Sequence, residues 1–248
     1  MADHSVRFII LNAARTGSTM LRHLLNSHPE ICCHGEVMAG GIRSFVGLQD
    51  RPNLPLVSKL ESMLKADPVG FMRDFVLFPG GMKAVGFKIK YEELVLPEFA
   101  AIRSALEQNA ELRVIHLRRE NRLKRVISKI TATRINKVFN VLDPSEKPVQ
   151  TLFALDPKEC EEDFTQTADR EEEFTKAFAS HPMCEVGYEE LVHPDAGARQ
   201  RVQEFLGVAP VTLETATVKI NSDRVEDMVE NLEVLRAHFA NTPWAKFF

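Results

Sequence analysis

The stretch from Arg7 to Ser27 constrains this chain more than any other. Phe8, Ile9, Ile10 and Leu11 form an unbroken apolar run, the pattern of a strand buried on both faces. Met20, Leu21, Leu24 and Leu25 then repeat at helical spacing. Between the two lies Asn12–Thr19, made of small and hydroxyl residues with one arginine and one glycine. The stretch therefore predicts strand, tight turn, helix. A turn of small residues opening a helix presents unpaired backbone N–H groups at the positive end of the helix dipole, which suits an anion. A capped helix start with no ligand is the competing reading.

The loop departs from an ordinary nucleotide triphosphatase loop, G-x-x-x-x-G-K-[ST]. Asn12 stands where the first glycine belongs, and Ser18 where the lysine belongs. Ser18 and Thr19 retain their hydroxyls, and Arg15 supplies a cation from inside the loop. These replacements disfavour ATP hydrolysis.

Ala-Arg-Thr-Gly-Ser-Thr-Met-Leu, followed by His28-Pro29-Glu30-Ile31 and His34-Gly35-Glu36, resembles the 5′-phosphosulfate loop of sulfotransferases. The resemblance is to the bacterial branch of nodulation-type and glycolipid enzymes. It implies 3′-phosphoadenosine 5′-phosphosulfate (PAPS) as donor and 3′,5′-ADP as product.

A second unit follows the same logic. Leu112–Leu117 reads as a strand, then come Arg118-Arg119-Glu120-Asn121 and a helix over 121–139. A triphosphatase strand in this place commonly ends in a magnesium-binding Asp; here it ends in two arginines. A solvated basic helix face is the alternative. An arginine at a strand end with a serine along the helix resembles the family's 3′-phosphate motif. It implies Ser128 and either Arg118 or Arg119, with Arg119 preferred. Lys219 and Asn221 resemble a family segment over the nucleotide.

Other elements follow the same periodicities. Ile31–His34 predicts a short strand ending in Gly35-Glu36 at the ligand-binding edge of an open sheet. Residues 38–55 and 140–157 read as irregular lid or substrate loops. Residues 84–91 predict a strand containing Lys88, which is either near the phosphate site or on a sheet edge. The resemblance favours the first reading. Helices are expected over 56–77 in two pieces, 97–109, 158–180, 198–206 and 222–239, with a strand at 183–186. Trp244, Phe247 and Phe248 are expected to pack on the body, with a homodimer contact as the alternative.

Composition limits the remaining classes. With 248 residues and a net charge of −4, the chain has neither a nucleic-acid nor a membrane-surface signature. Met1–Arg7 carries no secretory apolar segment, and no run is long enough to span a bilayer. Cytoplasmic location is therefore expected. The four cysteines form no C-x-x-C, so buried free thiols are expected and no metal is assigned.

Together these features predict one domain over 1–248, with a P-loop-like doubly wound α/β sheet of mostly parallel strands and helices on both faces. The implied activity is sulfuryl transfer from PAPS to a hydroxyl of a carbohydrate or small molecule. Arg15, Thr16, Gly17, Ser18 and Thr19 would hold the 5′-phosphosulfate, and Arg15 would support the leaving group. Glu36 is the general-base candidate, His34 the second, and Lys88 joins Glu36 on the acceptor side. An ATP-dependent small-molecule kinase and a non-catalytic nucleotide-binding protein are the alternatives.

Overall fold

The computed structural model describes residues 5–48 and 55–248. Its strands are β1 (Val6–Asn12), β2 (Ile31–His34), β3 (Ala84–Lys90), β4 (Arg113–Arg118) and β5 (Met183–Gly187). Its α-helices are, in chain order, α1 (Ser18–Asn26), α2 (Val37–Gly40), α3 (Pro55–Ala66), α4 (Pro68–Phe71), α5 (Tyr91–Leu94), α6 (Ala100–Gln108), α7 (Arg122–Ile130), α8 (Pro157–Ala177), α9 (Tyr188–Val192), α10 (Ala198–Phe205) and α11 (Leu232–Phe239).

The chain divides into two compact units. The first comprises 1–118 and 174–215, and the second 119–173 and 216–248.

The first unit holds the sheet. Its order is β2-β3-β1-β4-β5, and every pairing is parallel. Side chains alternate across a strand, so consecutive β1 residues feed opposite faces. Ile9 and Leu11 join Val57, Leu60, Phe71, Ile102 and Leu106 on one face. Phe8 and Ile10 join Leu21, Leu25, Leu191 and Val202 on the other. Helices thus cover both faces, as the apolar run Phe8–Leu11 predicted, and burial of each such side chain contributes roughly 1.5–3 kcal/mol. Gly86 lies opposite Phe8 in the ladder. A Cβ at Gly86 would stand 2.3 Å from the Phe8 carbonyl oxygen, so only glycine fits there.

β1 leads through α1 to β2 on one side of the sheet, while β4 leads on to β5 on the other. The direction of winding therefore reverses between β1 and β4, and such a switch point is where open α/β sheets bind ligands. Asn12 ends β1 and Arg118 ends β4 at that edge.

The second unit packs around Phe164, Leu123, Val126, Leu235 and Phe239. Trp244, Phe247 and Phe248 meet Phe164 within it, with ring centroids 5.8, 5.6 and 6.5 Å away. The Arg122 guanidinium lies 5.5 Å from the Trp244 ring centre. The aromatic tail therefore packs on its own unit. Arg125 and Asp163 form a buried pair, and Lys129 meets the other Asp163 oxygen at 2.8 Å. Part of the basic character of α7 is thus internal to this unit.

Three sequence expectations need correction. Residues 38–55 are not uniformly irregular: α2 and a 3₁₀ turn at Ile42–Ser44 occupy their first part, and α3 begins at Pro55. Residues 49–54 of that expectation lie outside the described residues. The helix expected over 121–139 is α-helical only to Ile130 and continues as a π-turn, Thr131–Ile135. β-branched Ile130, Thr131, Thr133 and Ile135 disfavour regular helix there. The helix expected over 222–239 is confined to Leu232–Phe239. Its first part is instead drawn into pairing: Phe153 N–H donates to the Met228 carbonyl, and Glu230 N–H to the Phe153 carbonyl.

Candidate active site

The loop after β1 reverses direction through two left-handed residues. Arg15 has φ 67° and Gly17 has φ 87°. Thr16 ties the turn by donating from Oγ1 to the Ala13 carbonyl at 2.9 Å. Gly17 caps α1 without a side-chain hydrogen bond, and the first turn of α1 holds no acidic residue. The N–H groups of this helix end are therefore not consumed by an N-cap side chain, an arrangement suited to anions, while the Ala14 N–H earlier in the loop donates to Glu92 Oε1 at 3.1 Å. The Tyr188 ring covers Gly17 so closely that a Cβ there would lie 2.3 Å from Cδ2.

Lys88 provides a cation that the loop itself lacks at Ser18, where a triphosphatase loop carries its lysine. β3 lies between β2 and β1, so the edge-strand reading of Lys88 fails. Its Nζ donates to Thr19 Oγ1 at 2.9 Å and lies 3.1 Å from Glu36 Oε1. Lys90, two residues along the strand and so on the same face, meets Glu36 Oε2 at 2.9 Å. Lys90 also reaches Glu93 Oε1 at 2.7 Å. Thr19, Lys88, Glu36, Lys90 and Glu93 thus form one chain of alternating polar contacts.

The electrostatics follow from burial and these pairings. Burial pushes the Glu36 carboxyl up, but Lys88 and Lys90 outweigh it and hold the group below the ordinary carboxylate value. Burial pushes the Lys88 ammonium down, against the pull of Glu36. His34 is driven down to about 4, by burial first and then by the Arg22 cation. Its Nδ1 accepts from the Val46 N–H at 3.1 Å, which commits that nitrogen. His34 is therefore a neutral imidazole pinning the segment after α2, while Glu36 is an ionised carboxylate.

Arg118 belongs to a separate network of the first unit. Its Nη2 meets Thr175 Oγ1 at 2.8 Å, Glu185 Oε1 at 2.9 Å and His116 Nδ1 at 3.2 Å. His116 Nε2 lies 2.5 Å from the Tyr91 hydroxyl. Burial, then Arg118, pushes His116 down to about 3. An arginine donor facing Nδ1 makes that nitrogen the acceptor, so Nε2 carries the proton toward Tyr91.

The remaining sequence candidates lie in the second unit. Ser128 sits half-buried on α7, whose N-cap is Asn121, its side chain accepting from Lys124 N–H at 2.8 Å. Lys219 is exposed and paired with Asp223, and Asn221 is half-buried. The second unit begins at Arg119.

Direct contact therefore unites Thr19, Lys88 and Glu36. Sequence reasoning missed Lys90, Glu93 and Tyr188. The i, i+2 spacing of Lys88 and Lys90 was a visible sign, since such residues share a strand face. Among the described residues, no His, Cys, Asp or Glu group could hold a metal ion. No helix among them is long and apolar enough to cross a membrane.

No family model matches the chain. Nodulation protein H of Rhizobium meliloti (strain 1021) is 27% identical over 97% of this chain and 94% of its own length. Nodulation protein H of Rhizobium tropici is 26% identical over 97% and 92%. Among solved structures, a sulfotransferase from Alicyclobacillus acidocaldarius is 19% identical, with a TM-score of 0.49 over 95% of this chain and 93% of that one. Along nearly its whole length the chain is thus similar to nodulation protein H of two rhizobia.

Proposed function

We propose that the chain is a PAPS-dependent sulfotransferase acting on a hydroxyl of a carbohydrate or small molecule. The observation that carries this reading is the ammonium of Lys88, which joins the loop hydroxyl of Thr19 to the carboxylate of Glu36. An anion-binding turn and an ionised carboxylate thus stand at the same sheet edge, bridged by one cation.

The residues present fit the donor. The Gly17 helix end offers backbone donors, Thr19 offers a hydroxyl, and Lys88 offers a positive charge. PAPS, when bound, supplies an activated sulfuryl group whose bond to the 5′-phosphate is the one broken. Arg15 and the backbone of residues 16–19 hold the 5′-phosphosulfate. Preorganised cations and N–H groups favour the charge that grows on a leaving phosphate. Glu36 accepts the proton of the acceptor hydroxyl as that oxygen bonds to sulfur. Lys88 and Lys90 keep the carboxylate ionised and fix its direction. Arg119 and Ser128 are assigned the 3′-phosphate on the sequence resemblance alone, as are Lys219 and Asn221 their place along the nucleotide. Residues 38–55 and 140–157 are assigned to the acceptor on the sequence reading alone. All four cysteines are free, which supports a reducing, cytoplasmic setting.

Calorimetric titration with 3′,5′-ADP, beside ATP with Mg²⁺, tests the reading. Tight binding of 3′,5′-ADP and weak binding of ATP support it. The reverse order favours a kinase. A second assay follows release of 3′,5′-ADP from PAPS with hydroxylated acceptors. Nucleotide binding without any release would leave a non-catalytic binding protein.

A further inference from the structure

Lys88 contacts two groups with different tasks, and it has only one charge to share. Its Nζ is 2.9 Å from Thr19 Oγ1, at the start of α1. The same Nζ is 3.1 Å from Glu36 Oε1. Only 11% of its side chain is exposed, so water offers the ammonium little alternative company. Glu36 holds its second oxygen against Lys90, which is itself shared with Glu93.

We propose that Lys88 couples occupancy of the phosphate loop to the basicity of Glu36, an inference that rests on the PAPS reading above. An anion at the Thr19 end of the loop competes with Glu36 for the Lys88 ammonium. As Lys88 turns toward that anion, Glu36 Oε1 loses its partner and becomes free to accept a proton. Lys90 remains on Oε2, so the carboxylate keeps its orientation while becoming a stronger base. Without nucleotide, Glu36 is restrained by two lysines. With nucleotide it is restrained by one. The site thereby arms its base only after the donor is in place.

Every charged group around Glu36 fits this assignment. Lys88 and Lys90 face it from β3, and Glu93 faces Lys90 from α5. Arg22, on α1, acts on Lys88, and Lys88 in turn acts on His23; neither Arg22 nor His23 carries a negative charge that could replace Glu36. His34, on β2, is held neutral near pH 7 by burial. Lys88 is therefore the group in this cluster that touches both the loop and the carboxylate.

The test is titration of the Glu36 side-chain carboxyl by ¹³C NMR, its resonance assigned by its loss in Glu36→Gln. The protein is measured alone and with saturating 3′,5′-ADP. The midpoint is expected to rise by about one pH unit on binding, the effect of removing one adjacent opposite charge. In Lys88→Met the free protein should already show the raised midpoint, with little further rise on binding. Lys88→Arg should restore the ligand-dependent rise. Lys88→Gln replaces Lys88→Met if the latter does not fold. An unchanged midpoint in the wild-type complex overturns the coupling. A rise of equal size in Lys88→Met also overturns it, because the ligand charge would then act on Glu36 directly. Failure of 3′,5′-ADP to bind the wild-type protein is a separate result, seen by calorimetry, and overturns the PAPS reading together with the coupling.

Discussion

The Tyr188 ring lies against Gly17 so that a Cβ on the glycine would stand 2.3 Å from Cδ2 and 2.8 Å from Cε2. Gly17 is thus required for two independent reasons, since its φ of 87° also disfavours any side chain. Tyr188 opens α9 directly after β5, so the far end of the sheet supports the loop after β1. Gly17→Ala is expected to abolish measurable 3′,5′-ADP binding in calorimetry. Gly17→Ala combined with Tyr188→Ala should recover part of it, because the clash goes while the backbone strain of roughly 1–2 kcal/mol stays. No recovery in the double variant would mean that backbone strain alone decides the position.

Glu36 and His34 make opposite claims on the role of base. A positioned base contributes roughly 10²–10⁴-fold to rate. Glu36→Gln keeps shape and removes basicity, so turnover should fall at least ~10²-fold with 3′,5′-ADP binding largely retained. His34 has its Nδ1 committed to the Val46 N–H. His34→Ala should therefore disturb the segment after α2 and raise the KM for acceptor more than it lowers kcat. Turnover that survives in Glu36→Gln and collapses in His34→Ala would transfer the role to His34.

Two buried histidines set an acid limit on stability. His34 and His116 are depressed to about 4 and about 3 in the folded protein, from 6.5. Between those values and 6.5 the unfolded chain binds protons that the folded chain does not. Stability contributed by their neutral forms is therefore complete above about pH 6.5 and is lost as pH falls. Each histidine contributes a slope of ~1.4 kcal/mol per pH unit within its window. Denaturant melts at pH 6 and pH 5 should show this loss. His116→Gln should flatten the slope even though removing the Tyr91 partner lowers stability at every pH. An unchanged slope would show that His116 does not titrate on unfolding in this range.

The sequence made β1, α1 and the end of β2 legible because its signals there are local. Phe8–Leu11 carries the period of a doubly buried strand, and Leu21, Leu24 and Leu25 carry that of a helix. The end of β2 at His34 is marked by Gly35. Contacts between distant segments were not legible in this way. Tyr188 meets Gly17 across most of the sequence, and Lys88 meets Thr19 from the neighbouring strand. The helix expected over 222–239 failed for the same reason, since Phe153 supplies the competing backbone partners of Met228 and Glu230. Lys90 marks a boundary case. It ends β3 and caps α5 through Glu93, so its reading depends on where the strand stops.

The two adjacent arginines at the end of β4 are expected to separate cleanly. Arg118 is held by Thr175, Glu185 and His116 within the first unit. Its removal leaves the buried His116 Nδ1 without its donor, so Arg118→Ala should lower the melting temperature. If Arg119 and Ser128 take the 3′-phosphate, wild-type protein should bind 3′,5′-ADP far more tightly than 5′-AMP. A charge-assisted phosphate contact contributes roughly 1.5–3 kcal/mol, or about ten- to hundredfold in affinity. Arg119→Ala should remove most of that preference while leaving 5′-AMP binding nearly unchanged. Ser128→Ala should reduce it less, since it takes away a neutral donor. Arg118→Ala should preserve the preference despite its lower stability. Calorimetry with both nucleotides on the three variants decides the matter. A preference lost in Arg118→Ala and kept in Arg119→Ala would mean that Arg118 leaves Glu185 to bind the phosphate, and would reverse the assignment.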